Sequence, residues 1–138
     1  MFLIGNGRLF TRDEKNSFFE NGAVVWEDNT IVEVGDFETL KKKYADAEFI
    51  DAKGGVIHPA FINTHEHIYS ALARGLSIKG YNPNGFLEIL DGLWWTIDRN
   101  LDNDLTKLSA EATYLECIKN GVTTIFDHHA SFGEISGS

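Results

Sequence analysis

The run VIHPAFINTHEH, residues 56–67, decides how the rest of the chain is read. Pro59 cannot donate to a sheet ladder, so it marks the start of a strand and not its middle. AFINTH then reads as a buried strand that ends in polar residues. Strand side chains alternate, which turns His65 and His67 to one side and Glu66 to the other. Their Cα atoms would stand roughly 6.5–7 Å apart, and zinc–imidazole bonds are about 2.0–2.1 Å long, so two rings leaning inward can share one cation. With five histidines in 138 residues, a spacing of two arises by composition alone in about one sequence in seven. The strand-end position, more than the spacing, therefore carries the metal reading of His65 and His67. Two ligands still fall short of a catalytic zinc site, which takes about three protein ligands and an open position.

Working outward toward the C-terminus, residues 68–103 read as a short helix near Tyr69–Arg74, a turn-rich link GYNPNG (80–85), and an apolar helix through Phe86, Ile89, Leu90, Leu93 and Trp94. DNDLTKLSAEATYLECIKNG (102–121) is a clearer helix. It places Leu105, Leu108, Ala112, Leu115 and Ile118 on one face, and Asn120-Gly121 stops it. VTTIFDHHA (122–130) is a second β-rich run with a polar end. Strand, helices and strand in this order predict a right-handed βαβ unit with parallel strands. HEH and DHH would then share one sheet edge, where α/β folds place their chemistry. Asp127, His128 and His129 are the local candidates to join the histidine pair. Alternation lets at most one of His128 and His129 face it. His128, His129 and Trp95 are the candidate substrate contacts, although core packing is the ordinary role of Trp94 and Trp95. Arg74 reads as a surface ion-pair residue and His58 as a loop residue.

Working toward the N-terminus, Ala23–Trp26 and Thr30–Val34 flank Glu27-Asp28-Asn29 and predict a hairpin. Phe37, Leu40 and Tyr44 are at helical spacing, and EFIDAKGG (48–55) is a short strand stopped by glycines. The first 55 residues thus form a small sheet with one helix, and the boundary falls near Gly55. The net charge of −9 argues against nucleic acid or an anionic membrane as partner. Lys41-Lys42-Lys43 reads as a solvated helix end. Cys117 is the only cysteine, so no internal disulfide can form. With no apolar run near 20 residues, the expectation is a cytoplasmic protein without an anchor.

The order of a small opening sheet, VIHPAFINTHEH, a long link, DLTKLSAEATYLECIKNGVTTIFD and the final DHH resembles the N-terminal part of the amidohydrolase superfamily, in its cytosine-deaminase-like and chlorohydrolase-like branch. The resemblance implies an α/β architecture: residues 1–55 as the N-terminal part of a β-sandwich, and residues 56–138 as the start of a (β/α)8 TIM barrel, incomplete here. It implies that His65 and His67 are strand-1 ligands of a divalent metal, zinc first and iron as the alternative. It also implies hydrolysis of C–N or C–Cl bonds on a small heterocyclic substrate, with the remaining ligands on later strands. The family usually has Pro-Gly where this chain has Pro59-Ala60. A full barrel needs about 250 residues, so the chain is expected to be a fragment. It would then have little activity alone, and would self-associate or depend on the missing C-terminal part. A stand-alone metal- or partner-binding module and one half of a split enzyme are the alternatives.

Overall fold

The computed structural model describes residues 1–130, 132, 133 and 136. The chain is a mixed α/β protein that divides into two compact units, residues 1–59 and 60–138. The division falls a few residues beyond Gly55 because Val56 and Ile57 pair with the first strand of the opening sheet.

The first unit is a five-stranded sheet. Strands β1 (Phe2–Phe10), β2 (Phe18–Glu27), β3 (Thr30–Asp36) and β4 (Glu48–Asp51) lie in the order β3-β2-β1-β4, and β5 (Val56–Ile57) also pairs with β1. The β2–β3 hairpin turns at Asp28-Asn29, with Asp28 at φ 52°, a conformation that Asp tolerates better than most residues. Helix α1 (Phe37–Lys43) is capped by Asp36, whose side chain accepts from the Thr39 N–H at 3.0 Å. Glu38 in its first turn and three exposed lysines in its last suit the helix dipole. Phe37 and Leu40 point down onto Leu3, Ala23 and Val25, and these five side chains form the buried core. Gly5 lies under the Phe37 ring, in a space that a Cβ would fill.

In the second unit, β6 (Phe61–Glu66) and β7 (Val122–Asp127) pair in parallel, with Glu66 opposite Asp127. The link between them holds a 3-10 helix (Ile68–Ala73), helices α2 (Phe86–Ile89) and α3 (Trp95–Asn100) joined by a π turn at Leu90–Trp94, and α4 (Asn103–Lys119). The π turn interrupts the single helix expected here. The Tyr81 hydroxyl donates to the Glu88 carbonyl, an oxygen the regular ladder would give to the Gly92 N–H.

Helix α4 begins where Asp102 accepts from the Leu105 N–H at 2.7 Å and ends at Gly121, φ 71°. Its buried face differs from the one expected. Thr106, Ser109 and Thr113 are buried, whereas Leu105, Leu108, Leu115 and Ile118 are exposed and Ala112 is half-buried. The 3-10 helix packs on the small polar side, where the Ser109 hydroxyl accepts from the Leu72 N–H at 3.1 Å. Among the described residues no helix is long and apolar enough to cross a membrane.

Candidate metal centre

Parallel pairing of β6 and β7 brings both polar strand ends together, and the His128 N–H donates to the Glu66 carbonyl at 2.8 Å. Glu66 turns away from the histidines, as alternation requires. Its carboxylate accepts from the Asn63 amide at 2.7 Å and the His67 N–H at 3.1 Å, fixing the end of β6.

On the other side the two imidazoles converge, with His65 Nε2 and His67 Nε2 3.2 Å apart. Two nitrogens bonded to one tetrahedral ion at about 2.05 Å would be separated by about 3.3 Å, so the pair fits the span of one zinc ion. The His67 tautomer is fixed by its surroundings. Its Nδ1 lies 2.7 Å from the His128 carbonyl, which can only accept. The proton therefore sits on Nδ1, and Nε2 of the neutral ring offers a lone pair, as a metal-binding histidine needs. Among the described residues, no group of three His, Cys, Asp or Glu side chains is placed to hold an ion.

A cavity of about 480 Å³ opens beside the pair, lined by His65, His67, His128, Tyr69, Asp98 and an aromatic wall including Phe86, Trp94 and Trp95. Of the predicted substrate contacts, His128 and Trp95 lie here, with the His128 ring 4.5 Å from that of His65. His129 does not line this cavity. Its Nδ1 is 3.0 Å from Asp127 Oδ2, its ring packs 4.9 Å from Tyr69, and both His129 and Asp127 line a different depression. The other Asp127 oxygen accepts from the Ile68 N–H at 3.0 Å, so Asp127 holds the backbone just after the pair. Arg74 and Cys117 line a third depression, with Glu66. His58 Nδ1 is 2.7 Å from the Pro59 carbonyl in the first unit.

Sequence reasoning passed over Tyr69 and Asp98. Burial, and next the neighbouring Asp98 charge, push the Tyr69 phenol up to about 12. Asp98 is only 4% exposed, and burial holds its carboxyl above the usual range, against the hydrogen bond from the Tyr69 hydroxyl. The signal for Asp98 was its place four residues after Trp94, which puts a carboxylate and an indole on one helix face.

No protein-family model matches the chain. It is 34% identical over 119 residues to a 5-methylthioadenosine/S-adenosylhomocysteine deaminase of Bacillus cytotoxicus, covering 86% of this chain and 26% of that protein. The Bacillus cereus protein of the same name is 30% identical over 122 residues, covering 88% and 27%. The structure superposes on atrazine chlorohydrolase TrzN from Arthrobacter aurescens, solved with zinc, at TM-score 0.74 and 26% identity, over 94% of this chain and 29% of that one. It also matches Helicobacter pylori aminofutalosine deaminase bound to methylthio-coformycin, at TM-score 0.66 and 25% identity, over 92% and 29%. The chain thus spans about a quarter of the length of these relatives.

Proposed function

We propose that this chain is the N-terminal part of a metal-dependent hydrolase of the amidohydrolase superfamily, nearest the SsnA-type aminohydrolases, that hydrolyses a C–N or C–Cl bond on a heterocycle. Deamination is the first choice. The observation that carries the reading is the 3.2 Å approach of two imidazole nitrogens at a strand end, with His67 locked in its ligand tautomer. The zinc-bound chlorohydrolase and the deaminases among the relatives support it. So does the exposed apolar face of α4, which suits a helix of a larger layered fold. On this reading residues 1–59 belong to a β-sandwich, and β6 and β7 are the first strands of a barrel.

His65 and His67 would hold the cation, zinc or iron. When bound, such an ion polarises the target and lowers the pKa of water toward neutrality. The His128 carbonyl orients His67, and Glu66 and Asp127 hold the two strand ends. Phe86, Trp94 and Trp95 give a planar ring an apolar wall and exclude water from one side. The remaining ligands and the proton-transfer group would lie beyond these residues, so the 138-residue chain is expected to have little activity alone.

Zinc titration of the chain by calorimetry tests the site. His65→Ala or His67→Ala is expected to weaken zinc binding by about 10- to 100-fold, and the double variant to abolish it. Zinc binding by the double variant at wild-type affinity would refute the assignment.

A further inference from the structure

Asparagine followed by glycine occurs four times in the chain, at 6–7, 21–22, 84–85 and 120–121. The pair has a chemistry of its own. With no side chain on the glycine to block the approach, its backbone nitrogen can reach the carboxamide carbon of the preceding asparagine, provided that the N–H is not held and the backbone can turn. The fold therefore decides which of the four pairs can react.

Three of them are held. Asn6-Gly7 lies within β1, where the Asn6 amide donates to Asp51 at 2.7 Å and the Asn6 carbonyl accepts from the Gly54 N–H at 2.7 Å. Asn21-Gly22 lies within β2, and Gly22 is buried and paired with Gly7 on one side and Asp36 on the other. At the end of α4 the Asn120 amide donates to the Glu116 carbonyl at 2.8 Å, and the Gly121 N–H to the Ile118 carbonyl at 3.1 Å. Asn84-Gly85 differs from all three. Both residues are exposed in the link before α2, and the Gly85 N–H has no hydrogen-bond partner among the described residues. The Asn84 side-chain amide reaches Glu88 Oε2 only at 3.4 Å, near the limit of a hydrogen bond. No atom lies within 4 Å of where a Gly85 side chain would begin, so the approach is open. The adjoining Asn82-Pro83 is inert by this route, because proline has no N–H to give up.

We infer that Asn84 is a self-modification site, at which the Gly85 nitrogen closes on Asn84 Cγ and the side-chain amide is lost. The N–Cγ bond forms as the Cγ–Nδ2 bond breaks, and Nδ2 leaves as ammonia with the proton given up by the Gly85 N–H. Water then opens the cyclic imide at either carbonyl, leaving aspartate or isoaspartate at position 84. The net change is asparagine plus water to aspartate plus ammonia, with nothing oxidised or reduced. The product sets a carboxylate where Nδ2 now faces Glu88, two residues before Phe86 in the cavity wall, and the two like charges repel. None of this depends on the metal assignment.

The test ages the 138-residue chain in mildly alkaline buffer and then digests it. Trypsin cuts after Arg8, Lys15, Lys41, Lys79, Arg99 and Lys119, which puts the four pairs on separate peptides, 1–8, 16–41, 80–99 and 120–138. Mass spectrometry reads the gain of about 1 Da per converted amide, and fragmentation of 80–99 separates position 84 from Asn82. The peptide 80–99 is expected to gain the mass first, at position 84 alone, while the other three stay unmodified. In guanidinium chloride the four pairs lose their different surroundings, and their rates should converge. Gly85→Ala should abolish the early modification without disturbing the fold, since φ at Gly85 is −164°, an extended conformation open to any residue, and the added methyl meets open space. Modification of 80–99 no faster than the other peptides in the folded chain, an equal lead in guanidinium chloride, or an unchanged rate in Gly85→Ala would each overturn the inference. The folded and denatured wild-type comparison stands even if the variant does not fold.

Discussion

The two units bury opposite kinds of side chain. The first encloses Leu3, Ala23, Val25, Phe37 and Leu40 between its sheet and one helix. In the second, the buried positions are Tyr69, Ser70, Asp98, Thr106, Ser109 and Thr113, while Phe61, Ile62, Leu108, Leu115, Ile118 and Phe126 are exposed. Parallel strands are normally covered on both faces, and in β6 and β7 large apolar side chains reach the surface. The contrast separates two jobs. One unit is organised around a hydrophobic core, and the other around a polar strand edge that carries the histidine pair.

If that contrast is right, the largest loss of stability should come from the first unit. Leu40 is 2% exposed and sits at the centre of the core. Leu40→Ala is expected to cost about 2–5 kcal/mol through lost transfer energy and a residual cavity. Amide exchange of β1 and β2 should accelerate strongly in urea. A loss below about 1 kcal/mol would mean that the five-residue cluster is not the core it resembles.

That core was the easily legible part. Phe37, Leu40 and Tyr44 at helical spacing, and the alternation through Ala23–Trp26, each follow from a local period, and the first unit satisfies them locally. The histidine pair was legible for the same reason, because alternation alone aligns residues two apart. What could not be read locally was which face of α4 would be buried. Leu105, Leu108, Leu115 and Ile118 form the stronger apolar pattern, yet the face in contact is the one where Ser109 can receive the Leu72 N–H. Asp98 was harder to read, since its spacing from Trp94 puts it on that helix face but its burial depends on the cavity wall.

A smaller effect should separate the units by pH. In the first unit Glu33, Asp36 and Asp51 all have lowered pKa values. The leading causes are hydrogen bonds from Lys43 to Glu33, from the Thr39 N–H to Asp36, and from the Lys53 N–H to Asp51. A carboxylate depressed in the folded state contributes stability above its unfolded pKa, and that stability is lost as pH falls through the folded value. Asp36 and Asp51 are exposed and Glu33 only half-buried, so each contribution is modest. Asp98 has the opposite sign. Its raised pKa means that ionisation opposes folding, so acidification through its folded value relieves the second unit. Unfolding followed between pH 6 and pH 3 should show the first unit weakening ahead of the second, with Asp98→Asn removing the second unit's relief. A uniform acid response in both units would erase the electrostatic part of the contrast.

The smallest effect on stability should come from the face that looks most hydrophobic in sequence. Ile118 is 73% exposed near the C-terminal end of α4. In the isolated chain it has little burial to lose, so Ile118→Ser should change folding stability by no more than about 0.5 kcal/mol. The same substitution should weaken self-association, because it removes apolar surface from an exposed patch shared with Leu108 and Leu115. Sedimentation velocity over a concentration series measures the second effect, and urea unfolding the first. A cost of 2 kcal/mol or more would place Ile118 in a real core and make the second unit an ordinary hydrophobic fold like the first. A small cost with reduced association instead identifies α4 as a helix whose apolar face serves contacts outside these residues. That is the behaviour the proposed reading predicts, in which α4 is one helix of a larger layered fold.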